Sequence, residues 1–212
     1  MTTYSQNDEQ PHILSGLAGY AGNNALLDIG AYDGRTFSNS LALIEMGWKG
    51  VLVEPSPEPL SAALKLHAAR PNVHVMQAAV AGFEQSGRQI IELHATADAV
   101  STTSEDFKHV WEKAVNYTRM YTPLVSMVAL AAFTKEKVGL PGFINIDTEG
   151  TTYDVCRALT TYAADLVAAA KVICVEHVAF GQARRAEFCL LFPEFEVVYE
   201  SGENLVLVRN AG

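Results

Sequence analysis

The sequence predicts an α/β protein with one mostly parallel sheet. Short runs rich in β-forming residues alternate with segments of helical periodicity along most of the 212 residues, as in strands joined by crossover helices. The last two β-rich runs are joined only by a short turn at Ser201-Gly202, so they must pair antiparallel. At roughly 150 residues per domain, the length favours a single domain covering residues 1–212.

Each predicted strand is a short apolar run that ends at a turn signal, for example the run before Asp28-Ile29-Gly30 and the run before Glu54-Pro55. The predicted strands cover residues 25–29, 50–54, 73–77, 88–94, 142–147, 172–177, 195–199 and 204–208. Five of these are of the parallel type with helices between them, and the last two form the antiparallel pair.

The predicted helices follow from apolar spacing and end signals. Phe37, Leu41 and Ile44 lie on one helical face, and Ser56 precedes a helix with proline at its first position. The predicted helices cover residues 36–46, 57–69, 105–116, 129–137, 151–162 and 183–192. We expect the segment 98–138, which is less regular, to be an insertion that forms a lid over an acceptor site.

Composition and charge limit the kinds of partner. Apolar residues make up 49% and charged residues 18% of the chain, which excludes a mainly disordered chain. No apolar run reaches the ~18 residues of a membrane-spanning helix, so no membrane insertion is expected. The net charge of −9 argues against nucleic acid as a partner and against docking on an anionic membrane.

The N-terminal residues and the cysteines predict a location in the cytoplasm. Residues 1–10 are polar and acidic and lack a signal-peptide pattern, and we expect them to fray. Cys156, Cys174 and Cys189 are far apart and lie within apolar runs, as buried free thiols do in a reducing compartment.

A glycine-containing turn follows the first predicted strand, in the sequence Asp28-Ile29-Gly30-Ala31-Tyr32-Asp33-Gly34. Two glycines four residues apart permit a tight turn and a close approach of a ligand to the backbone. The spacing differs from the GxGxxG of dinucleotide-binding proteins. A carboxylate at Asp28 or Asp33 would repel a pyrophosphate and attract a sulfonium or ammonium group, which favours S-adenosylmethionine over a nicotinamide cofactor.

The second strand ends at Glu54, 24 residues after Gly30. An acidic residue about 20 residues beyond such a turn accepts hydrogen bonds from ribose hydroxyls. Together, the turn and Glu54 predict a nucleoside-binding site at the carboxyl ends of the strands.

Three segments resemble the FkbM-type methyltransferases: DIGAYDG from Asp28, VLVEPSP from Val51, and FINIDTEGTTYDV from Phe143. The resemblance extends over about residues 26–208. It implies a Rossmann-like, class I methyltransferase fold that depends on S-adenosylmethionine, with seven strands, the last antiparallel, and helices on both faces. It further implies O-methylation, commonly of a sugar hydroxyl in a glycan, glycolipid or natural product. Family members usually carry lysine where this chain has Asn145.

The resemblance also implies a set of cofactor-binding residues. The turn residues Gly30, Ala31, Tyr32 and Gly34 would lie under the methionine part, with Asp28 and Asp33 at its amino group. Glu54 would hold the ribose. The adenine would lie near Pro55, Ser56, Gln77, Ala78 and Ala79, although residues 77–79 would also fit a plain strand exit.

Methylation of an alcohol requires removal of its proton, and two mechanisms fit the acidic residues and the histidine at the ends of two neighbouring strands. In the favoured one, His177 is the general base and Asp147 orients it or the substrate. In the other, Asp147 together with Glu176 or His177 holds Mg²⁺ or Mn²⁺. We expect Glu149 to cap the following helix.

Ser101 and Thr102 match a hydroxyl-rich stretch of the family and are candidate substrate contacts, although such residues also serve as helix caps with Ser104 as the N-cap. The expected acceptor is a small molecule or a glycan. Two other functions remain open. One is a catalytically silent module that binds the cofactor, and the other is methylation of a nucleic acid or protein.

Overall fold

The apolar runs of the sequence form the central strands of a seven-stranded sheet. The computed structural model describes residues 2–85 and 87–210; the parts of the predicted domain 1–212 at Met1, Ser86, Ala211 and Gly212 lie outside the described residues. The strands are β1 (Ala25–Ile29), β2 (Lys49–Glu54), β3 (Val73–Gln77), β4 (Ala79–Val80), β5 (Ile90–Ala95), β6 (Thr118–Val125), β7 (Phe143–Ile146), β8 (Val172–Glu176), β9 (Phe195–Glu200) and β10 (Asn204–Arg209).

The main sheet has the order β3-β2-β1-β7-β8-β10-β9. Strands β1, β2, β3, β7 and β8 pair in parallel, whereas β10 is antiparallel to both β8 and β9. The predicted α/β class and the antiparallel last strand are therefore confirmed. The strand order changes direction between β1 and β7, and such a switch point opens a crevice at the carboxyl ends of the strands.

Helices cover the sheet on both sides. They are α1 (Glu9–Gly16), α2 (Leu41–Glu45), α3 (Pro57–His67), α4 (Glu105–Trp111), α5 (Met127–Lys137), α6 (Thr152–Tyr162), α7 (Ala164–Ala169) and α8 (Gln182–Leu191). Within β1, Leu27 packs in one core with Leu130 of α5 and Val155 of α6, while Leu26 packs in a second core with Ile13 of α1. Full burial of each such side chain contributes roughly 1.5–3 kcal/mol. None of the described helices is long and apolar enough to cross a membrane.

A second, three-stranded sheet has the order β4-β6-β5. The strand predicted at 88–94 is present as β5 and pairs antiparallel with β6, which the sequence analysis did not predict. The alternation along β6 is weak because most of its residues are exposed or half-buried, and Pro123 lies within it.

The expected insertion 98–138 consists of two different parts. Residues 98–125 form a loop, α4 and β6, whereas α5 places Met127, Leu130 and Ala131 in the main core. The loop is tied down by two backbone hydrogen bonds between His94 and Thr102. Only the first part lies where a lid is expected, because α5 is one of the helices that cover the main sheet.

The expected fraying at the N-terminus is wrong for the described part of residues 1–10. Ser5 pairs with Phe37 in a β-bridge, and Gln10 bonds to the backbone of Thr2 and Tyr4. Glu9 is fully buried and accepts hydrogen bonds from Ser201 Oγ and Asn204 Nδ2. Polar side chains with long-range partners hold this segment against the sheet, and such partners leave no local signal in the sequence.

The helix predicted at 36–46 is much shorter, because α2 begins only at Leu41. The carboxylate of Asp33 accepts hydrogen bonds from the backbone N–H groups of Arg35 and Thr36, and Phe37 has a positive φ of 58°. These contacts hold residues 33–40 as an irregular loop. Helices α1 and α7 were not predicted, and Cys189 is exposed, unlike the buried Cys156 and Cys174.

Candidate active site at the carboxyl ends of the strands

The carboxyl ends of β1, β2 and β7 open into one cleft with about 960 Å³ of space continuous with solvent. Its walls come from the loops after these strands, from β4 and from residues 98–103. The lining residues are Gln6, Asp28, Ile29, Gly30, Ala31, Tyr32, Thr36, Phe37, Ser38, Asn39, Val53, Glu54, Pro55, Ala78, Ala79, Val80, Leu93, Asp98, Ala99, Ser101, Thr103, Asn145, Asp147, Thr148, Glu149 and Thr151.

The turn after β1 requires glycine at Gly30. Its φ of 85° is in the left-handed region, and a Cβ atom would lie 1.6 Å from the carbonyl oxygen of Asp147. The backbone N–H groups of Gly30 and Ala31 both donate to the carbonyl of Val53. These contacts bring the loops after β1, β2 and β7 together at the edge of the cleft.

Asp28 lies on β1 at the bottom of the cleft and has only neutral partners. Ser40 Oγ and Asn145 Nδ2 donate to its two carboxylate oxygens at 2.5 and 2.9 Å, and Asn39 Nδ2 donates in turn to Asn145 Oδ1 at 3.1 Å. Asp28 and Asn145 are register partners on β1 and β7. Burial raises the pKa of Asp28, although its two hydrogen bonds act in the opposite direction.

Glu54 ends β2 and connects the first two loops. The backbone N–H of Tyr32 donates to Oε2 at 2.9 Å, and the backbone N–H of Ser56 donates to Oε1 at 2.7 Å. Burial raises the pKa of Glu54 to about 7, against the lowering effect of these two hydrogen bonds. Each oxygen keeps a second lone pair for a ligand hydroxyl.

Three carboxyl groups meet at the carboxyl ends of β7 and β8, on Asp147, Glu149 and Glu176, with oxygens within 4.8 Å of one another. Burial raises the pKa of Asp147, and the neighbouring charges of Glu176 and Asp28 add to this. Burial and the charge of Asp147 raise the pKa of Glu149 to about 10. The loop therefore provides carboxylates with high proton affinity.

Glu176 stabilises the loop after β7 through hydrogen bonds. Thr152 Oγ1 donates to its carboxylate at 2.6 Å, and the backbone N–H groups of residues 148–150 also hydrogen-bond to it. Burial raises the pKa of Glu176. Glu149 lies in the carboxylate group rather than capping α6, so that expectation is wrong.

His177 does not line the cleft, contrary to the predicted pairing with Asp147. Its Nε2 contacts the carbonyl oxygen of Ser201 at 3.0 Å, and its Nδ1 contacts Arg185 Nη1 at 3.4 Å. Successive side chains at a strand end point to opposite sides. Because Glu176 faces the loop of Asp147, His177 faces α8 and the turn between β9 and β10. The acidic group that could hold a metal therefore contains Glu149 in place of His177.

Ten of the predicted site residues line the cleft: Asp28, Gly30, Ala31, Tyr32, Glu54, Pro55, Ala78, Ala79, Ser101 and Asp147. The predicted residues outside the lining are Asp33, Gly34, Ser56, Gln77, Thr102, Glu176 and His177.

The residues outside the lining mostly support neighbouring loops. Asp33 caps its own turn, and Gly34 packs against His67 of α3. Ser56 is the N-cap position of α3. Thr102 Oγ1 donates to the carbonyl of Glu149 at 2.5 Å. This hydrogen bond connects the loop of residues 98–104 to the loop that follows β7. The alternative for Ser104 is confirmed, because its hydroxyl caps α4.

The sequence analysis missed several lining residues, among them Gln6, Asn39 and Thr148. Asn39 is only 5% exposed, and its Oδ1 has no hydrogen-bond partner. Thr148 lies within the segment FINIDTEGTTYDV, so that segment could have indicated Thr148 as a site residue. Gln6 and Asn39 enter the cleft only through long-range folding.

The chemistry of the lining fits S-adenosylmethionine. Val53, Val80 and Leu93 offer apolar contacts for an adenine, and Glu54 offers acceptors for ribose hydroxyls. No lysine, arginine or histidine is among the lining residues of the described chain, which suits a ligand of net positive charge.

The strand order, the glycine turn and the acidic end of β2 together define a Rossmann-like methyltransferase. The model of the methyltransferase FkbM domain matches residues 28–198. The chain belongs to this family of methyltransferases, whose methyl donor is S-adenosylmethionine. A comparison with curated proteins gives no significant match.

The chain is similar to several solved structures at low sequence identity, and of the three given next only the first has a TM-score above 0.5. Monomeric WbdD is 12% identical with a TM-score of 0.54, over 97% of this chain and 42% of that one. A precorrin-6y C5,15-methyltransferase from Geobacter metallireducens is 15% identical with a TM-score of 0.49, over 100% of this chain and 93% of that one. A methyltransferase from Podospora anserina bound to S-adenosylhomocysteine is 10% identical with a TM-score of 0.41, over 89% and 72%.

Proposed function

We propose that the protein transfers a methyl group from S-adenosylmethionine to a hydroxyl group, with a sugar in a glycan, glycolipid or glycosylated natural product as the acceptor. The observation that carries this is that Asp28, Glu54, Asp147 and Glu149 all line a single cleft. Asp28 and Glu54 suit a cationic nucleoside, and Asp147 and Glu149 suit an alcohol whose proton must be removed. The free cysteines support a reducing compartment, the cytoplasm, as the place of action.

The predicted residues that line the cleft would hold the donor. Gly30, Ala31 and Tyr32 would hold its methionine part, and Asp28 its amino group. Glu54 would accept hydrogen bonds from the ribose, and Pro55, Ala78 and Ala79 would hold the adenine. When bound, S-adenosylmethionine supplies a methyl group already activated by a positively charged sulfur, so alignment is the main task of the protein.

Asp147 is the general base in this proposal. It lines the cleft, and burial and neighbouring carboxylates raise its pKa, which increases its affinity for a proton. The ionised carboxylate would take the proton of the acceptor hydroxyl while the hydroxyl oxygen bonds to the methyl carbon and the carbon–sulfur bond of the donor breaks, which would leave S-adenosylhomocysteine. His177 supports the site from outside, through its contacts with Ser201 and Arg185.

Calorimetry and kinetics test the proposal together. Asp28→Ala and Glu54→Ala should weaken binding of S-adenosylhomocysteine strongly. Asp147→Asn should keep that binding and lower kcat by about 100-fold or more, the usual contribution of a general base. His177→Ala, the matched control, should lower kcat by no more than a few-fold. Absence of heat with both forms of the cofactor would refute the function, and a larger loss from His177→Ala would restore His177 as the base.

A metal mechanism is the second candidate, because Asp147, Glu149 and Glu176 each offer an oxygen ligand within 4.8 Å. Oxygen ligands of this kind suit Mg²⁺ or Mn²⁺, and the metal would acidify the acceptor hydroxyl. Activity that survives EDTA favours the base mechanism. Activity lost with EDTA and restored by Mg²⁺ or Mn²⁺ favours the metal.

Two other functions are distinguished by the same assays. A catalytically silent module would bind the cofactor but transfer no methyl group to any acceptor. Methylation of a nucleic acid conflicts with the net charge of −9 and with the acidic lining of the cleft. A protein acceptor is tested by labelled methyl transfer into protein in place of saccharide.

A further inference from the structure

The cleft contains a surplus of acidic and hydrogen-bond-accepting groups. Its lining includes the carboxylates of Asp28, Glu54, Asp98, Asp147 and Glu149. Within the part of the chain that the structure describes, it includes no cationic side chain. An anionic group that enters the cleft would lose its hydration without gaining a cation.

The basic residues of the neighbouring segments are turned away from the cleft. Arg35 follows the glycine turn but is exposed and outside the lining. Lys108 of α4 pairs with Glu105 on the same helix. Arg185 of α8 pairs with Glu200 of β9. These cations are therefore not positioned to compensate an anionic substituent on an acceptor.

Asn39 independently indicates that the cleft binds hydrogen-bond donors. Its side chain lines the cleft and is about nineteen-twentieths buried, and its Oδ1 has no hydrogen-bond partner. The Nδ2 atom is already used for Asn145, so the remaining valence of this side chain is an acceptor. An unpaired buried acceptor costs free energy that a ligand donor would recover.

The side-chain donors in the described lining are neutral hydroxyl and amide groups. Ser38, Thr103 and Thr148 carry hydroxyls of this kind, whereas the hydroxyls of Thr36 and Thr151 donate within their own loops. Hydroxyl groups bond to uncharged hydroxyl groups of a ligand without any charge mismatch. S-adenosylmethionine itself has one carboxylate and two positive groups, so its net charge agrees with such a lining.

We infer that the acceptor is a polyhydroxyl compound without an anionic group beside the accepting hydroxyl, and that an amine at that place strengthens its binding by sharing a proton with the carboxyl group of Asp147 or Glu149. This inference rests on the proposed function. It excludes sugar phosphates, nucleotide sugars and uronic acids as acceptors. Aminosugars and neutral sugars are the acceptors that remain.

The test uses three sugars that share one ring scaffold. The wild-type protein is first titrated with S-adenosylhomocysteine, and then glucosamine, glucose and glucuronate are added to the saturated complex at pH 7 and low salt, with binding followed by saturation-transfer NMR. Glucosamine should bind about tenfold more tightly than glucose, because its amine can share a proton with an acidic side chain of the cleft. Glucuronate should bind about tenfold more weakly than glucose, because its carboxylate loses hydration without gaining a cation.

Variants that replace a carboxyl group by an amide test whether Asp147 and Glu149 cause this order of sugar binding. Glu149→Gln should reduce the preference for glucosamine over glucose by several-fold, and Asp147→Asn should act in the same direction. Glu136→Gln, at an exposed position on α5, should leave the order unchanged.

The outcomes separate the inference from the proposed function. Missing heat with S-adenosylhomocysteine means that the proposed function fails. Normal heat combined with equal binding of the three sugars, with tightest binding of glucuronate, or with no sugar binding at all overturns the inference alone.

Discussion

At the scale of single residues, the site depends on side chains that meet across strands distant in the sequence. Asp28 on β1 contacts Asn145 on β7, and Glu54 on β2 holds the backbone N–H of Tyr32. Each carboxylate is buried with neutral donors only. Ionisation of these carboxyl groups without a cation nearby costs stability in the protein without ligand, and a positively charged ligand would offset that cost.

Gly30→Ala should destabilise the protein by at least about 2 kcal/mol, because the left-handed backbone and the contact with the Asp147 carbonyl both oppose a Cβ atom. Urea unfolding measures the change. Gly202→Ala is the control, since a Cβ atom there would meet nothing within 4 Å. Equal losses from the two variants would contradict this account of the turn.

The buried carboxylate of Glu54 predicts a pH dependence of stability. Its pKa is raised from the ordinary 4.5 to about 7 in the folded protein, so the folded state holds the proton that the unfolded state has lost between these values. Its contribution to the free energy of unfolding therefore decreases as the pH rises from 4.5 to 7. Ionisation above this window leaves the cost of a buried charge.

Glu54→Gln removes this titration. The free energy of unfolding of the wild type minus that of the variant should decrease between pH 4.5 and 7 and then level off. Urea unfolding at several pH values measures the difference. Glu196→Gln, at an exposed position on β9, should show no such trend. A flat difference for Glu54→Gln would show that its carboxyl group titrates alike in the folded and unfolded chains.

At the scale of elements, the N-terminal segment and the turn between β9 and β10 form one unit. Glu9 at the start of α1 accepts hydrogen bonds from Ser201 and Asn204. Gln6 lines the cleft and also donates to Glu203 in the same turn. One end of the chain therefore helps to build the wall of a site whose motifs lie elsewhere.

Glu9→Ala should cost about 2–3 kcal/mol, because the buried Asn204 Nδ2 and the half-buried Ser201 Oγ both lose this acceptor. Glu58→Ala is the matched control: Glu58 also lies in the first turn of a helix, α3, but it is exposed, and its loss should cost less than about 0.5 kcal/mol. Thermal or urea unfolding of both variants measures the change in the free energy of unfolding. A cost for Glu9→Ala as small as for Glu58→Ala would mean that the buried contacts contribute little.

At the scale of the whole molecule, the two sheets differ in burial. Every residue of β1, β7 and β8 is buried, whereas most residues of β6 in the small sheet are exposed or half-buried. The small sheet also has its own small core of Ala79, Ala81, Ile91 and Leu124. Local unfolding should therefore be easier in the small sheet, next to the loop of residues 98–104.

Hydrogen exchange should show this difference directly. Amides of β1, β7 and β8 should exchange at least about tenfold more slowly than those of β5 and β6, because exchange from a fully buried sheet requires nearly global unfolding. Mass spectrometry of peptide fragments measures the rates. Equal protection of both sheets would indicate that the molecule opens only as one unit.

Sequence patterns predicted the main sheet well because its signals are local. The apolar runs of β1, β2, β7 and β8 are bounded by glycine, proline or acidic residues, and the final hairpin follows from one short turn. The prediction was weaker for α1 and β6. Both are held by contacts with distant segments, and their own apolar patterns are weak.

The sequence by itself determined the parallel α/β architecture, the turn at Gly30 and the placement of Asp28, Glu54 and Asp147 at strand ends, because each depends on a local pattern and on the common direction of parallel strands. Tertiary structure alone decided the direction of individual side chains beyond those ends. It directed His177 away from the cleft, towards Arg185 and Ser201. It also brought Asn39 into the cleft, because Asn39 packs against Asn145, which is 106 residues away in the sequence.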